Sequence, residues 1–374
     1  MIKCNEFVSE IKEHFGNFFT GSPDSLLKDL CAYLEDSCLA GEHMVAVNEG
    51  NAIGLAAGYH LATGKIPVVY MQNSGLGNTV NPLMSLTDSK VYQIPILMVI
   101  GWRGEPGIKD EPQHVKQGEV TLPLLETMGI AYEVVSGESE NVKEVLQRLA
   151  TRANETSAPV ALVVKKGTFE KYKLQKVIAD DSGFEREDAI GQCAKLIGGE
   201  AVVLSTTGKI SRELYEYRVG AGEKTSDFLN VGSMGHVSQV ALGVALNRPS
   251  KKVYVFDCDG AMLMHMGGMA TIGNSGAKNL IHIVFNNRVH DSVGGQPTVA
   301  ANINMQEIAL ACGYRVARKV KSSLELSKAV EELNGLEGPI LLEVVVKKGA
   351  RADLGRPKST PVENKLMFME SLNG

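Results

Sequence analysis

Nowhere does this 374-residue chain approach the roughly 18 consecutive apolar residues that a membrane-crossing helix requires. Its opening, Met1-Ile2-Lys3-Cys4-Asn5-Glu6, lacks the apolar core of a secretion signal, and the acids that follow do not suit a transit peptide. A cytoplasmic protein with no membrane partner is expected. Positive charge is not in excess: 38 Lys and Arg against 43 Asp and Glu leave a formal net charge of −5, so no nucleic-acid partner is expected. Cys4, Cys31, Cys38, Cys193, Cys258 and Cys312 form neither a CxxC nor a zinc-ligand spacing, which excludes a disulfide scaffold or zinc module. Gly75-Leu76-Gly77 is not a full GxGxxG and no acid follows at the dinucleotide-binding distance. Gly208-Lys209 lacks the upstream glycine and the following Ser/Thr of a phosphate-binding loop, and no GxSxG occurs. Low-complexity tracts and short repeats are absent too.

What is present is an alternation. Nearly all-apolar runs at 43–48, 66–72, 95–101, 131–135 and 159–165, then at 201–206, 227–231, 252–257, 280–286, 314–318 and 339–346, alternate with amphipathic stretches such as 139–153 and 321–334. Runs of that kind suit strands buried on both faces, so each half should be an α/β domain of three layers, a mainly parallel sheet flanked by helices. The rhythm breaks at the charged stretch 167–186. This predicts a first domain over 1–166, a linker over 167–186 and a second domain over 187–374.

The strongest chemical signal spans 257–287. One strand runs into Asp259-Gly260, a helical segment starting near Ala261 follows, and a second strand ends at Asn286-Asn287, with twenty-five residues (261–285) between Gly260 and Asn286. Two parallel strands then deliver a carboxylate and an amide from their C-terminal ends, the edge where open α/β sheets bind ligands. Both offer hard oxygens suited to Mg²⁺, and the helix start favours phosphate. Two unrelated turns, Asp-Gly and Asn-Asn, are the alternative.

The Asp-Gly, the spacing and the Asn-Asn resemble the diphosphate-binding motif of thiamine-diphosphate-dependent enzymes, with Cys258 where the first glycine usually stands. The resemblance implies that Asp259, Asn287 and the carbonyl of Val289 hold Mg²⁺. It implies that Gly260 and Ala261 contact the cofactor, that Gly232-Ser233-Met234 cradle the aminopyrimidine with Met234 as a prop, and that Glu49 hydrogen-bonds the pyrimidine nitrogen. Each has a plainer reading from the residues alone. Ser233 could cap a helix with Met234 in the core, and Glu49 could be an acid favoured by a helix dipole. Asp24, after Gly-Ser-Pro, could open a helix; the resemblance makes it a proton-transfer group at the active-site mouth. The family's cofactor lies between domains, typically from two subunits, so at least a homodimer is implied.

The stretch 101–118, a polar loop carrying Arg103, Lys109 and His114, and residues 351–357 with Arg351 and Arg356, are similar to the branch of this family that cleaves phosphono- and sulfopyruvate. The resemblance covers essentially the whole chain. It implies decarboxylation of 3-phosphonopyruvate to phosphonoacetaldehyde and CO₂ through the ylid of the cofactor, within phosphonate (2-aminoethylphosphonate) biosynthesis. The basic residues Arg103, Lys109, Arg351 and Arg356 are the candidates to grip this small anionic 2-oxo acid. Asp24, His114 or His290 is the expected proton relay, while His265 and His282 read as structural. Sulfopyruvate is the near alternative, disfavoured because that relative often splits its domains into separate chains. A non-catalytic binding module on the same fold is the distant one.

Overall fold

A computed structural model describes residues 1–139, 141–176, 183–199 and 201–373. The chain divides into two units: Met1–Val177 with His290–Gln296, and Ile178–Val289 with Pro297–Gly374.

In the first unit, β1 (Phe19–Gly21), β2 (His43–Val45), β3 (Val68–Gln72), β4 (Leu97–Gly101), β5 (Ala131–Val135) and β6 (Val160–Val164) form one sheet in the order β2-β1-β3-β4-β6-β5, with every pair parallel. In the second, β7 (Val202–Ser205), β8 (Phe228–Leu229), β9 (Val253–Cys258), β10 (Leu280–Asn286), β11 (Val316–Val320) and β12 (Ile340–Val345) run β11-β12-β10-β9-β7-β8, again all parallel. Side chains alternate across a strand. Thus Val68, Tyr70, Leu97, Val99, Val160 and Leu162 enter one core, while Val69, Met71, Met98, Ile100, Ala161 and Val163 enter another on the opposite face. Likewise Tyr254, Phe256, Ile281 and Ile283 fill one core of the second unit, and the intervening Val255 and Val284 are equally buried. Both halves are therefore three-layer α/β units with the sheet covered on both faces.

Two readings need correction. The strand β1 was not anticipated, although it pairs with both β2 and β3; three residues are too few to display a period. The strand expected at 314–318 lies at Val316–Val320. The stretch expected to be a linker makes contacts of its own. Phe169 is buried in the first core, and the backbone N–H groups of Tyr172, Gln175 and Lys176 donate to the carboxylates of Asp29 and Asp36 at 2.7–2.9 Å. Near its other end, Arg186 makes a bidentate pair with Glu213 at 2.9 and 2.7 Å. Residues 177–182 of that stretch lie outside the described residues.

Each sheet ends in one stub and one charged strand. β2 has three residues and β8 two. β5 carries Glu133, paired with Arg148 at 3.0 Å, and β11 carries Arg318, paired with Glu332 at 2.9 Å.

Candidate active site

In the first unit two acids are buried at the C-terminal ends of strands. Asp24 lies in the loop between β1 and the helix Lys28–Ser37, and Leu27, not Asp24, stands at that helix's N-cap. Its carboxyl is fully buried. Gln72, ending β3, donates Nε2 to Asp24 Oδ1 at 2.6 Å, and Ser74 Oγ donates to Gln72 Oε1 at 2.8 Å. Burial pushes the Asp24 carboxyl above its usual range, against the opposing pull of Gln72, of the Leu26 and Leu27 N–H groups and of Arg103. Gly101, ending β4, is required here, because a Cβ would run into Asp24 Oδ2.

Glu49 is the first residue of the helix Glu49–Thr63, which Asn48 caps by accepting the Asn51 N–H at 2.9 Å. Glu49 is not an exposed helix-start acid. It is buried, accepts from Asn78 Nδ2 at 2.7 Å, and rests on Gly75, whose Cβ would lie 2.5 Å from its carboxyl carbon. Glycine thus makes the seat and Asn78 sets the angle of the carboxylate.

The polar loop after β4 is shorter than expected. A helix, Pro112–Thr127, starts inside it, so His114 sits on the first turn of that helix and not on the loop. Arg103 holds the loop together. Its Nε and Nη2 grip the Asp110 carboxylate, with Nε at 2.7 Å, and Nη1 reaches Ser25 Oγ at 2.8 Å. The Arg103 guanidinium holds the Asp110 carboxyl well below its usual range. Asn73, also buried, clamps the Arg103 main chain from both sides. Arg103 is therefore already matched by a carboxylate, whereas Lys109 is exposed.

In the second unit the motif comes together. The short helix Asp259–Met264 begins at Asp259 itself, two residues before the expected start at Ala261. Asp259 is buried, accepts from Thr298 Oγ1 at 2.6 Å, and is pushed up to about 6 by burial, opposed by Thr298 and by the N–H groups of Gly260, Asp259 and Asn287. No salt bridge to Asp259 occurs among the described residues. Past β10, Arg288 takes a left-handed conformation (φ 64°), Asn287 Oδ1 accepts the Val289 N–H at 3.2 Å, and Val289 bridges to Pro297. The buried Asp259 carboxylate meets the Asn287 N–H, on a turn that also carries the Asn287 amide oxygen, and these hard oxygens suit a divalent cation. After β8, Gly232 and Met234 are half-buried and Ser233 is exposed with φ 48°. His236, not Ser233, is the N-cap of the following helix Val237–Asn247. Gly235 (φ 86°) lets this bend close on Ala261 and His265. His290, which opens the segment that belongs to the first unit, has its imidazole lowered to about 4 by burial, so it is neutral at pH 7.

Arg351 is held by Glu187 at 2.9 Å, by Asp353 at 3.2 Å and by Glu216, and Arg356 is exposed. His282 lies inside β10, 3.2 Å from both Asp257 and the Tyr314 hydroxyl, a structural role as expected. Gln72, Asn78 and Thr298 are partners that the sequence reading missed. The first two stand in the polar stretch 72–86 that had drawn notice for its glycines, but Thr298 had no local signal.

Residues 6–124 match the family described as thiamine pyrophosphate enzyme, N-terminal TPP binding domain, and residues 207–344 match its C-terminal TPP binding domain. Fold and site thus define an enzyme of the thiamine-diphosphate class. Phosphonopyruvate decarboxylase of Streptomyces viridochromogenes is 34% identical over 339 residues, 87% of this chain and 83% of that one. The Streptomyces hygroscopicus enzyme of the same name is 33% identical over 368 residues, covering 91% and 88%. Sulfopyruvate decarboxylase of Methanosarcina acetivorans is 30% identical over 350 residues, 87% of each chain. This chain belongs to that family of thiamine-diphosphate-dependent decarboxylases. The Methanosarcina match spans both units, so a fused chain does not by itself separate the two substrates.

Proposed function

We propose that the protein decarboxylates 3-phosphonopyruvate to phosphonoacetaldehyde and CO₂, a step of phosphonate synthesis, using thiamine diphosphate and Mg²⁺. The observation that carries the reading is that one unit holds a buried, amide-set Glu49 and the other a buried Asp259, in a chain that aligns over most of its length with two phosphonopyruvate decarboxylases. Bound thiamine diphosphate supplies a nucleophilic carbon and an electron sink for carbon–carbon cleavage.

The chain's own residues do the rest. Asp259, Asn287 and the Val289 carbonyl would hold Mg²⁺, and Gly260, Ala261 and the 232–234 bend would receive the cofactor. Glu49, angled by Asn78 Nδ2, would share a proton with the pyrimidine nitrogen of the bound cofactor. Burial raises the Asp24 carboxyl above its usual range and so favours its protonated form, while Gln72 keeps one oxygen engaged. Arg103, locked to Asp110, holds the loop that carries Lys109, and Lys109 and the exposed Arg356 are the candidates for direct contact with the substrate. The working form is a homodimer or higher oligomer, to be checked by sedimentation.

Purified protein with thiamine diphosphate and Mg²⁺ should release phosphonoacetaldehyde from phosphonopyruvate faster than it turns over sulfopyruvate or pyruvate. Preference for sulfopyruvate, the reading that the Methanosarcina relative favours, would keep the mechanism and change the substrate. No turnover of any of the three would overturn the proposal.

A further inference from the structure

Behind the Asn-Asn turn lies a buried polar cluster to which the reaction as described assigns no part. Glu343 projects from β12 and is 1% exposed. Its Oε1 accepts from Asn286 Nδ2 at 2.8 Å and from Lys319 Nζ at 2.9 Å, and its Oε2 accepts from Gln306 Nε2 at 2.5 Å. A buried carboxylate is costly unless its lone pairs are met, and here both oxygens are met.

We infer that Glu343 is a positioning residue for the metal-binding turn, resting on the reading of Asn287 and Val289 as ligands. An ionised carboxylate only accepts, so Asn286 must turn its Nδ2 toward Glu343. That leaves Asn286 Oδ1 on the other side, where it accepts the Arg288 N–H at 3.0 Å. Arg288 has φ 64°, a conformation that a non-glycine side chain adopts at a cost of about 1 kcal/mol or more. The captured N–H stabilises that conformation. The left-handed residue in turn brings Val289 N–H onto Asn287 Oδ1 and sets the direction of the Val289 carbonyl. The acid on β12 thereby fixes an amide on β10, and that amide fixes the turn. Partners outside the first ligand shell commonly tune metal affinity about 10- to 100-fold.

The test is binding of Mn²⁺, as the probe ion, to the full-length protein in the presence of thiamine diphosphate, followed by electron paramagnetic resonance, with thermal unfolding of the metal-free protein measured separately. Glu343→Leu should weaken Mn²⁺ binding about 10- to 100-fold. Glu343→Gln should bind like wild type, because its amide oxygen can stay on Asn286 and Lys319 while Gln306 turns over to accept. If Glu343→Leu does not fold, Glu343→Asp replaces it: the charge stays near Lys319 but the carboxylate draws back from Asn286, and binding should weaken. A folded Glu343→Leu or Glu343→Asp variant with a lowered melting temperature but unchanged Mn²⁺ affinity would make the role merely structural and overturn the inference. Failure of the wild type to bind Mn²⁺ would overturn the metal-site reading and the inference together.

Discussion

Taken from its β8 edge, the second sheet runs β8-β7-β9-β10-β12-β11, strand for strand the order β2-β1-β3-β4-β6-β5 of the first. The two units share a topology and differ in the residues at the exit of each strand. After the second strand comes Asn48-Glu49 in one unit and Gly232-Ser233-Met234 in the other. The third ends in Gln72 and is followed by Asn73-Ser74 in one unit and by Asp259 in the other, and after the fourth come Trp102-Arg103 and Asn287-Arg288-Val289. One scaffold presents its strand ends at the ligand-binding edge in both cases, and the residues placed there divide the chemistry. In the first unit each buried acid is set by an amide donor, Asn78 for Glu49 and Gln72 for Asp24, an arrangement suited to holding protons. In the second the acid is set by a hydroxyl beside an amide oxygen, an arrangement suited to a cation.

That division can be broken at four points. Glu49→Gln keeps the shape and the Asn78 contact but removes the proton site. Steady-state kinetics should show kcat lowered about 100- to 10,000-fold, with calorimetry still detecting cofactor. Asp259→Asn should fail the other way, with no cofactor heat at Mg²⁺ concentrations that saturate wild type; if both variants lost binding alike, the division of labour would be wrong. Gly75→Ala forces a methyl against the Glu49 carboxyl and should cost about 1–3 kcal/mol in a urea melt, whereas Gly77→Ala, with open space around it, should cost little. Thr298→Val removes the hydroxyl from Asp259 and should weaken Mg²⁺ binding roughly tenfold without altering Glu49-dependent steps.

The smallest effect concerns pH. Because burial raises Asp24, the stability that its protonated form confers is present below the ordinary carboxylate range and is lost as pH rises through the raised value. Asp24→Asn should therefore melt higher than wild type at pH 7, and the difference should shrink toward pH 4. A constant difference across that range would mean that Asp24 is not raised.

Much of this was legible because buried parallel strands are written as unbroken apolar runs, so the other eleven strands announced themselves and Asp259 and Asn287 stood at the ends of two of them. What escaped was non-local. Phe19-Thr20-Gly21 is a strand because β2 and β3 flank it, not because of its own pattern. Thr298 meets Asp259 from 39 positions away. Arg103 and Arg351 looked like cations awaiting an anionic substrate. Whether an arginine awaits a ligand depends on which acids fold against it, and here Asp110, Glu187 and Glu216 do. Asp24 was misplaced for a different reason: Asp after Gly-Ser-Pro reads the same whether the helix begins at once or, as here, only at Lys28.

The borders of the two sheets bear on how copies of this chain can meet. A strand joining from another molecule needs a row of unpaired backbone groups of useful length and a neighbour free of charge. β2 and β8 offer two or three residues, and β5 and β11 present Glu133, Arg318 and Lys319. Neither sheet has a long uncharged rim for cross-chain pairing, so the chain is guarded against growing into a ribbon. Any self-association would then have to run through side chains on helices and loops.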